Sequence, residues 1–302
     1  MPDQPTWLGA HLHYRGDLDM MLRDAVAPLV RALGTDFFFL RYWDGGSHVR
    51  LRLRGADEAV VADHMNAYFA AHPAPETMTQ QEYARVAAVL ADREGMTRHL
   101  TSLRPNNSVE FVPYRPETGK YGTGETLRAV ERHFVESSRS ALDIIGRSPT
   151  GNQRELAVLG ILLLAWYAAG VPEERLPGAA ETLCRGWRGG HDLPEDRVER
   201  EFAGVRERVV RLAGSLRGLE PRPDHPGTSL HAWAATFARL GAALAGPDRL
   251  RVLDNCAHLA ANRLGVSMAA EVRLRLLAVR ALRETASPRP FRCGGDGDLA
   301  TL

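Results

Sequence analysis

A chain of 302 residues, 44% hydrophobic and 25% charged, is long enough to bury a full core as one large domain or two smaller ones. Its formal net charge of +1 lacks the basic excess of a nucleic-acid binder, and its longest apolar run, Leu156 to Ala169, is 14 residues and too short to span a bilayer. Cys184, Cys256 and Cys293 stand far apart and never as C-x-x-C, which argues against a disulfide framework or a zinc site and for a cytoplasmic protein.

The start, Met-Pro-Asp-Gln-Pro-Thr-Trp, lacks the basic and apolar regions of a signal peptide. Thr6 to Tyr14 predicts a strand, and the apolar spacing of Met20, Met21, Ala25, Leu29, Val30 and Leu33 predicts an amphipathic helix over 17–33. Thr35 to Gly55 predicts a β-hairpin: an aromatic run (Phe37, Phe38, Phe39, Tyr42, Trp43), a tight turn at Asp44-Gly45-Gly46-Ser47, and an alternating return strand. In that return strand Val49, Leu51 and Leu53 share a core face, while His48, Arg50, Arg52 and Arg54 share a cationic one with a repeat of about 7 Å. Helices follow over 57–72 and 79–93, then a strand over 108–114, then a loop over 114–124 in which Pro and Gly interrupt regular structure. From Glu125 onward the pattern predicts only helices, at about 125–146, 152–169, 173–187, 195–216, 228–244, 248–264 and 267–284. The fold class expected is therefore α+β: a single domain over 1–290, β-containing over 1–124 and helical over 125–290, with a Gly-rich, disordered tail over 291–302.

Three groups of residues offer chemistry. The strand face of His48, Arg50 and Arg52 is either a solvated surface or an anion site, since the guanidinium fork suits carboxylate and phosphate. Glu117 and Lys120 lie between Tyr114 and Tyr121 in the loop, as a surface ion pair or part of a site; Lys120 is the only lysine in an arginine-rich chain. His258 and Asn262 are four apart on one helix face with Arg263 beside them, and histidine is the default proton carrier near neutral pH. His191, His225 and His231 lack metal-ligand spacing, and no phosphate loop or G-x-S-x-G elbow is present.

Four segments in register carry a resemblance over essentially the whole chain: Phe37 to Leu53, Tyr114 to Gly122, Phe134 to Ser138, and His258-x-x-x-Asn262-Arg263. Together they resemble the C-terminal domain of nisin-type lantibiotic dehydratases, in particular the stand-alone thiopeptide-type bacteriocin biosynthesis proteins. The resemblance implies a lyase that removes glutamate from glutamylated Ser or Thr of a ribosomal precursor peptide, giving dehydroalanine or dehydrobutyrine. A partner enzyme would first attach the glutamate from glutamyl-tRNA. It further implies Arg50, Arg52, Glu117 and His258 as the elimination set, with Lys120 where the family pattern has arginine. Arg41, His48, Tyr121, Asn262 and Arg263 are the candidates for substrate binding, and Arg50, Arg52, Glu117 and His258 are expected to converge on one cleft. Acid and base roles stay open, with Glu117 as a partner that fixes the orientation or the charge of His258. No metal, no organic cofactor, no direct nucleic acid and no membrane is expected. Two alternatives stand beside elimination: a pyridine synthase joining two dehydroalanines by formal [4+2] cycloaddition with loss of the leader, and a non-catalytic partner that presents the precursor.

Overall fold

The computed structural model describes residues 6–93, 95–187, 193–221 and 229–286; the tail over 291–302 lies outside them. The fold is α+β, with an antiparallel sheet in the N-terminal part and helices throughout the rest. Two compact units make up the chain: Met1–Gly119 with Phe134–Ser148, and Lys120–His133 with Pro149–Leu302.

The first unit is built on four strands, β1 (Trp7–His13), β2 (Phe37–Tyr42), β3 (His48–Arg54) and β4 (Ser108–Phe111), in the order β2-β3-β1-β4. Ala10 and Leu12 of β1, Phe39 of β2, and Val49, Leu51 and Leu53 of β3 are fully buried, as period-two alternation requires of a core face. The helix expected over 17–33 is three consecutive segments, α1 (Leu18–Met21), a π-helical turn Leu22–Val26 and α2 (Ala27–Leu33). Pro28, which has no N–H to donate, opens α2 directly after that turn. Helices α3 (Glu58–Ala71) and α4 (Gln80–Arg93) follow as expected.

The hairpin departs from its expected geometry. Gly45 and Gly46 do take positive φ (89° and 101°), but the β2–β3 connection runs from Trp43 to Ser47 rather than closing on two residues. The longer loop is held by neighbours: the Tyr83 hydroxyl accepts from the Gly45 N–H at 2.6 Å, and Asp44 accepts from the Leu100 N–H at 2.7 Å. Its last pair is Tyr42 opposite His48, so Arg41 falls opposite Val49. A two-residue turn at Gly45-Gly46 would have set Arg41 opposite Arg50; a slip of one residue exchanges the faces. The loop expected over 114–124 also departs, since it contains a short helix, α5 (Thr118–Tyr121), before α6 (Gly124–Gly146).

The second unit is helical: α7 (Gly151–Tyr167), α8 (Leu176–Trp187), α9 (Glu195–Arg217), α10 (Ser229–Ala243), α11 (Arg249–Arg263) and α12 (Met268–Ala286). A Thr150/Gln153 capping box starts α7, and its run Val158–Trp166 is buried throughout. Helix α12 packs on α7, α8 and α9, and α11 on α7 and α10, which makes α7 the central helix of this unit. Among the described residues no helix is long and apolar enough to cross a membrane.

Candidate active site

In the first unit the polar face of the sheet collects His11 and His13 of β1, His48, Arg50 and Arg52 of β3, and Glu110 of β4. The register sets His11 opposite both Arg50 and Glu110, and His13 opposite His48. The three imidazoles stack loosely, with His48 centroids 5.0 Å from His11 and 4.7 Å from His13. His48 Nδ1 donates to the Gly46 carbonyl at 2.8 Å, which leaves Nε2 without a proton and, in this buried ring, without a hydrogen-bond partner. Burial, then the charges of His13, Arg50 and Arg52, push His48 down to about 3; burial, then His48 and the two arginines, push His11 down to about 2. Both are neutral at pH 7.

The guanidiniums lie among these neutral rings. Arg50 stacks 3.3 Å over the Tyr42 ring, and the charge of exposed Glu117 reaches it. Arg52 donates to the Leu51 carbonyl at 3.0 Å and touches His11 Nε2 at 3.3 Å. Burial, then Arg50, pushes it down to about 10, so it remains charged at neutral pH. Gly9, opposite Arg52, makes room for this: a Cβ there would stand 2.3 Å from the Val112 carbonyl and 3.4 Å from the guanidinium. Neither arginine has a carboxylate in hydrogen-bonding contact among the described residues.

A donor trio that sequence spacing overlooks lies on the same face. His11, His13 and Glu110 offer atoms within 4.8 Å of one another, a number and type that suit a divalent metal. The surrounding charges do not suit one: Arg52 occupies the His11 Nε2 side, and the burial and the neighbouring arginine charges that keep His11 neutral also oppose a cation. An anion fits this face better.

In the second unit His258 of α11 is part of a closed polar ring. Its Nδ1 lies 2.8 Å from Glu271 of α12, and Trp187 of α8 stacks on the imidazole with centroids 4.4 Å apart. Glu271 accepts from Arg275 Nε at 2.9 Å, Arg275 donates to Asp254, and Asp254 accepts from Trp166 at 2.8 Å and Trp187 at 2.7 Å. Glu271, Arg275 and Asp254 are buried, so this network is tolerable only because its charges are mutually paired. Burial alone would raise the Glu271 carboxyl; His258 and Arg275 override it and hold the group at about 2. The imidazole is partly exposed, at 21% for its side chain.

The sequence-predicted residues thus fall in two groups. Arg50, Arg52, His48 and Glu117 are brought together in the first unit, but Arg41 is on the opposite sheet face, paired with Asp19 of α1. In the second unit Lys120 lies 5.6 Å from the Tyr121 ring, and its charge, with that of Arg263, acts on Cys256, whose thiol burial pushes up to about 12. Tyr121 and Arg263 are buried, whereas Lys120, Asn262 and His258 are partly exposed. Within the second unit the carboxylate in contact with the His258 imidazole is Glu271, placed there by α12. Glu271 was missed, although its i,i+4 pairing with Arg275 inside an apolar helix is a readable sign of a buried ion pair. His11 and His13 were missed as well, although their spacing of two puts them on one strand face.

A family model described as the lantibiotic biosynthesis dehydratase C-terminal region matches residues 7–282. Among solved structures, the chain is similar to TbtD, a pyridine synthase from thiomuracin biosynthesis, at TM-score 0.73 and 18% identity, covering 93% of this chain and 99% of that one. It is similar to MibB, a tRNA-dependent lantibiotic dehydratase from Microbispora sp. 107891, at TM-score 0.57 and 24% identity, covering 94% of this chain and 28% of that one. TsrL is a further match at TM-score 0.61 and 17% identity, covering 92% and 94%. No curated protein matches the chain.

Proposed function

The chain belongs to the lantibiotic biosynthesis dehydratase C-terminal family, and from that premise we propose that it eliminates glutamate from glutamylated Ser or Thr residues of a ribosomal precursor peptide. The observation that carries this reading is the pair Arg50 and Arg52, two charged guanidiniums on one strand face with no carboxylate in contact among the described residues. In β-elimination a base removes the Cα proton, that electron pair becomes the Cα=Cβ bond, and the Cβ–O bond breaks to release glutamate as its carboxylate. Negative charge builds first on the enolate oxygen and then on the leaving group, and fixed cations aimed at developing charge are typically the largest single catalytic contribution. Arg50 and Arg52 are the anion-stabilising groups in this reading, Lys120 and Glu117 set the local charge, and His258 moves a proton. His48, Asn262, Tyr121 and Arg263 support the substrate side, directly or from the interior. The partners are the precursor peptide and a glutamylating enzyme that uses charged tRNA, which puts the protein in the cytoplasm.

The full-length likeness to a pyridine synthase supports a second reading, cycloaddition of two dehydroalanines with loss of the leader. Incubating the purified protein with a glutamylated precursor and weighing the product separates the two. Loss of glutamate supports elimination. Inertness on that peptide, with macrocycle formation from a dehydrated, azole-bearing one, replaces it by cycloaddition.

A further inference from the structure

We propose that Glu271 is a positioning residue for His258: it fixes the imidazole with Nδ1 protonated and makes Nε2 the atom that takes up or delivers the proton. As a statement about the reaction this rests on the elimination reading above; as a statement about the imidazole it rests on geometry alone.

A carboxylate can only accept, so the 2.8 Å contact to Glu271 requires a proton on His258 Nδ1. The carboxyl group itself has no freedom to turn away. Its other oxygen is held by Arg275 at 2.9 Å from Nε and 2.8 Å from Nη2, and Arg275 is held in turn by Asp254. Trp187 closes the circuit, donating to Asp254 at 2.7 Å while its ring packs on the imidazole. Orientation and tautomer are therefore both set by a buried scaffold on α8, α11 and α12. Nε2 makes no hydrogen bond among the described residues, and the ring is open to solvent only in part. This is the arrangement in which a carboxylate orients a proton-transferring histidine and stabilises the imidazolium that forms in the transfer.

The test is Glu271→Gln, read by ¹⁵N NMR of the His258 ring and by single-turnover loss of glutamate. Arg275 donates from Nε to one oxygen and keeps its charged Nη2 beside it, so the glutamine carbonyl stays there and its amide N–H₂ turns to His258 Nδ1, which must then accept. The wild-type spectrum, with the resonance assigned by its loss in His258→Gln, is expected to show the Nδ1–H tautomer. Glu271→Gln is expected to show the Nε2–H tautomer and to lower the saturating single-turnover rate by about 10²-fold or more, with the half-saturating concentration little changed. A wild-type Nε2–H tautomer, or an unchanged tautomer in Glu271→Gln, overturns the inference. Should Glu271→Gln fail to fold, the wild-type spectrum still decides. A switched tautomer with wild-type elimination in Glu271→Gln overturns the role in the reaction; wild-type elimination in His258→Ala as well removes His258 from the elimination reading itself.

Discussion

Arg52 is an unfavourable residue for folding, being half-buried beside a second guanidinium with a neutral imidazole in place of a counter-ion. Residues of this kind trade stability for function. Arg52→Met should therefore leave the thermal midpoint unchanged or raised while glutamylated peptide accumulates; a large drop in stability with elimination intact would make Arg52 structural. Lys120 tests the other end of the charge argument. If elimination needs only a positive charge there, Lys120→Arg retains most activity and Lys120→Met loses about 2 kcal/mol of transition-state stabilisation. Equal damage in both assigns proton transfer to the lysine, since arginine stays protonated at working pH. The donor trio yields the reverse kind of expectation: zinc or nickel should not raise the melting temperature, and chelators should leave elimination unaffected, because Arg52 opposes a cation at His11. At this scale the candidate site was half legible. His258 and Arg50 stand out by type and spacing, but the partner of His258 lies on the next helix, and no local pattern announces a contact made by tertiary packing.

Strand β3 was legible as an element because strict alternation is a local property, and its buried set, Val49, Leu51 and Leu53, follows from it. The face of Arg41 was not, since it depends on the hairpin register, and that depends on a loop held by Tyr83 and Leu100 from distant parts of the chain. The imidazoles on β1 and β3 give this sheet a pH dependence. His48 titrates at about 3 when folded against 6.5 when free, so between those values the unfolded chain binds more protons and stability rises with pH. The contribution is complete above 6.5 and is lost as pH falls below it. A neutral-only buried imidazole gives a slope of about 1.4 kcal/mol per pH unit, or roughly 2 kcal/mol between pH 6.5 and 5. Urea unfolding at those two pH values should show this loss, and His48→Gln should reduce it. An unchanged slope in that variant would mean that His48 is protonated in the folded protein.

At the scale of the whole molecule, the class α+β and the order of sheet before helices follow from where alternation ends and helical spacing begins, near Glu125. The division into units does not, because it exchanges segments: residues Lys120–His133 group with the later helices and Phe134–Ser148 with the sheet, although α6 runs unbroken through both. Hydrophobic period reports that a helix exists and not which neighbours take each of its turns. The candidate residues are divided in the same way, with Arg50, Arg52 and Glu117 in the first unit and Lys120 and His258 in the second. If both groups serve one chemical step, their removal is not additive, because a step already deprived of charge stabilisation has less to lose from its proton carrier. Arg52→Ala and His258→Ala should each slow single-turnover loss of glutamate by about 10²-fold or more. The double variant should then be little slower than the worse single one. Multiplying effects would mean that Arg52 and His258 contribute independently and do not act as one coupled set.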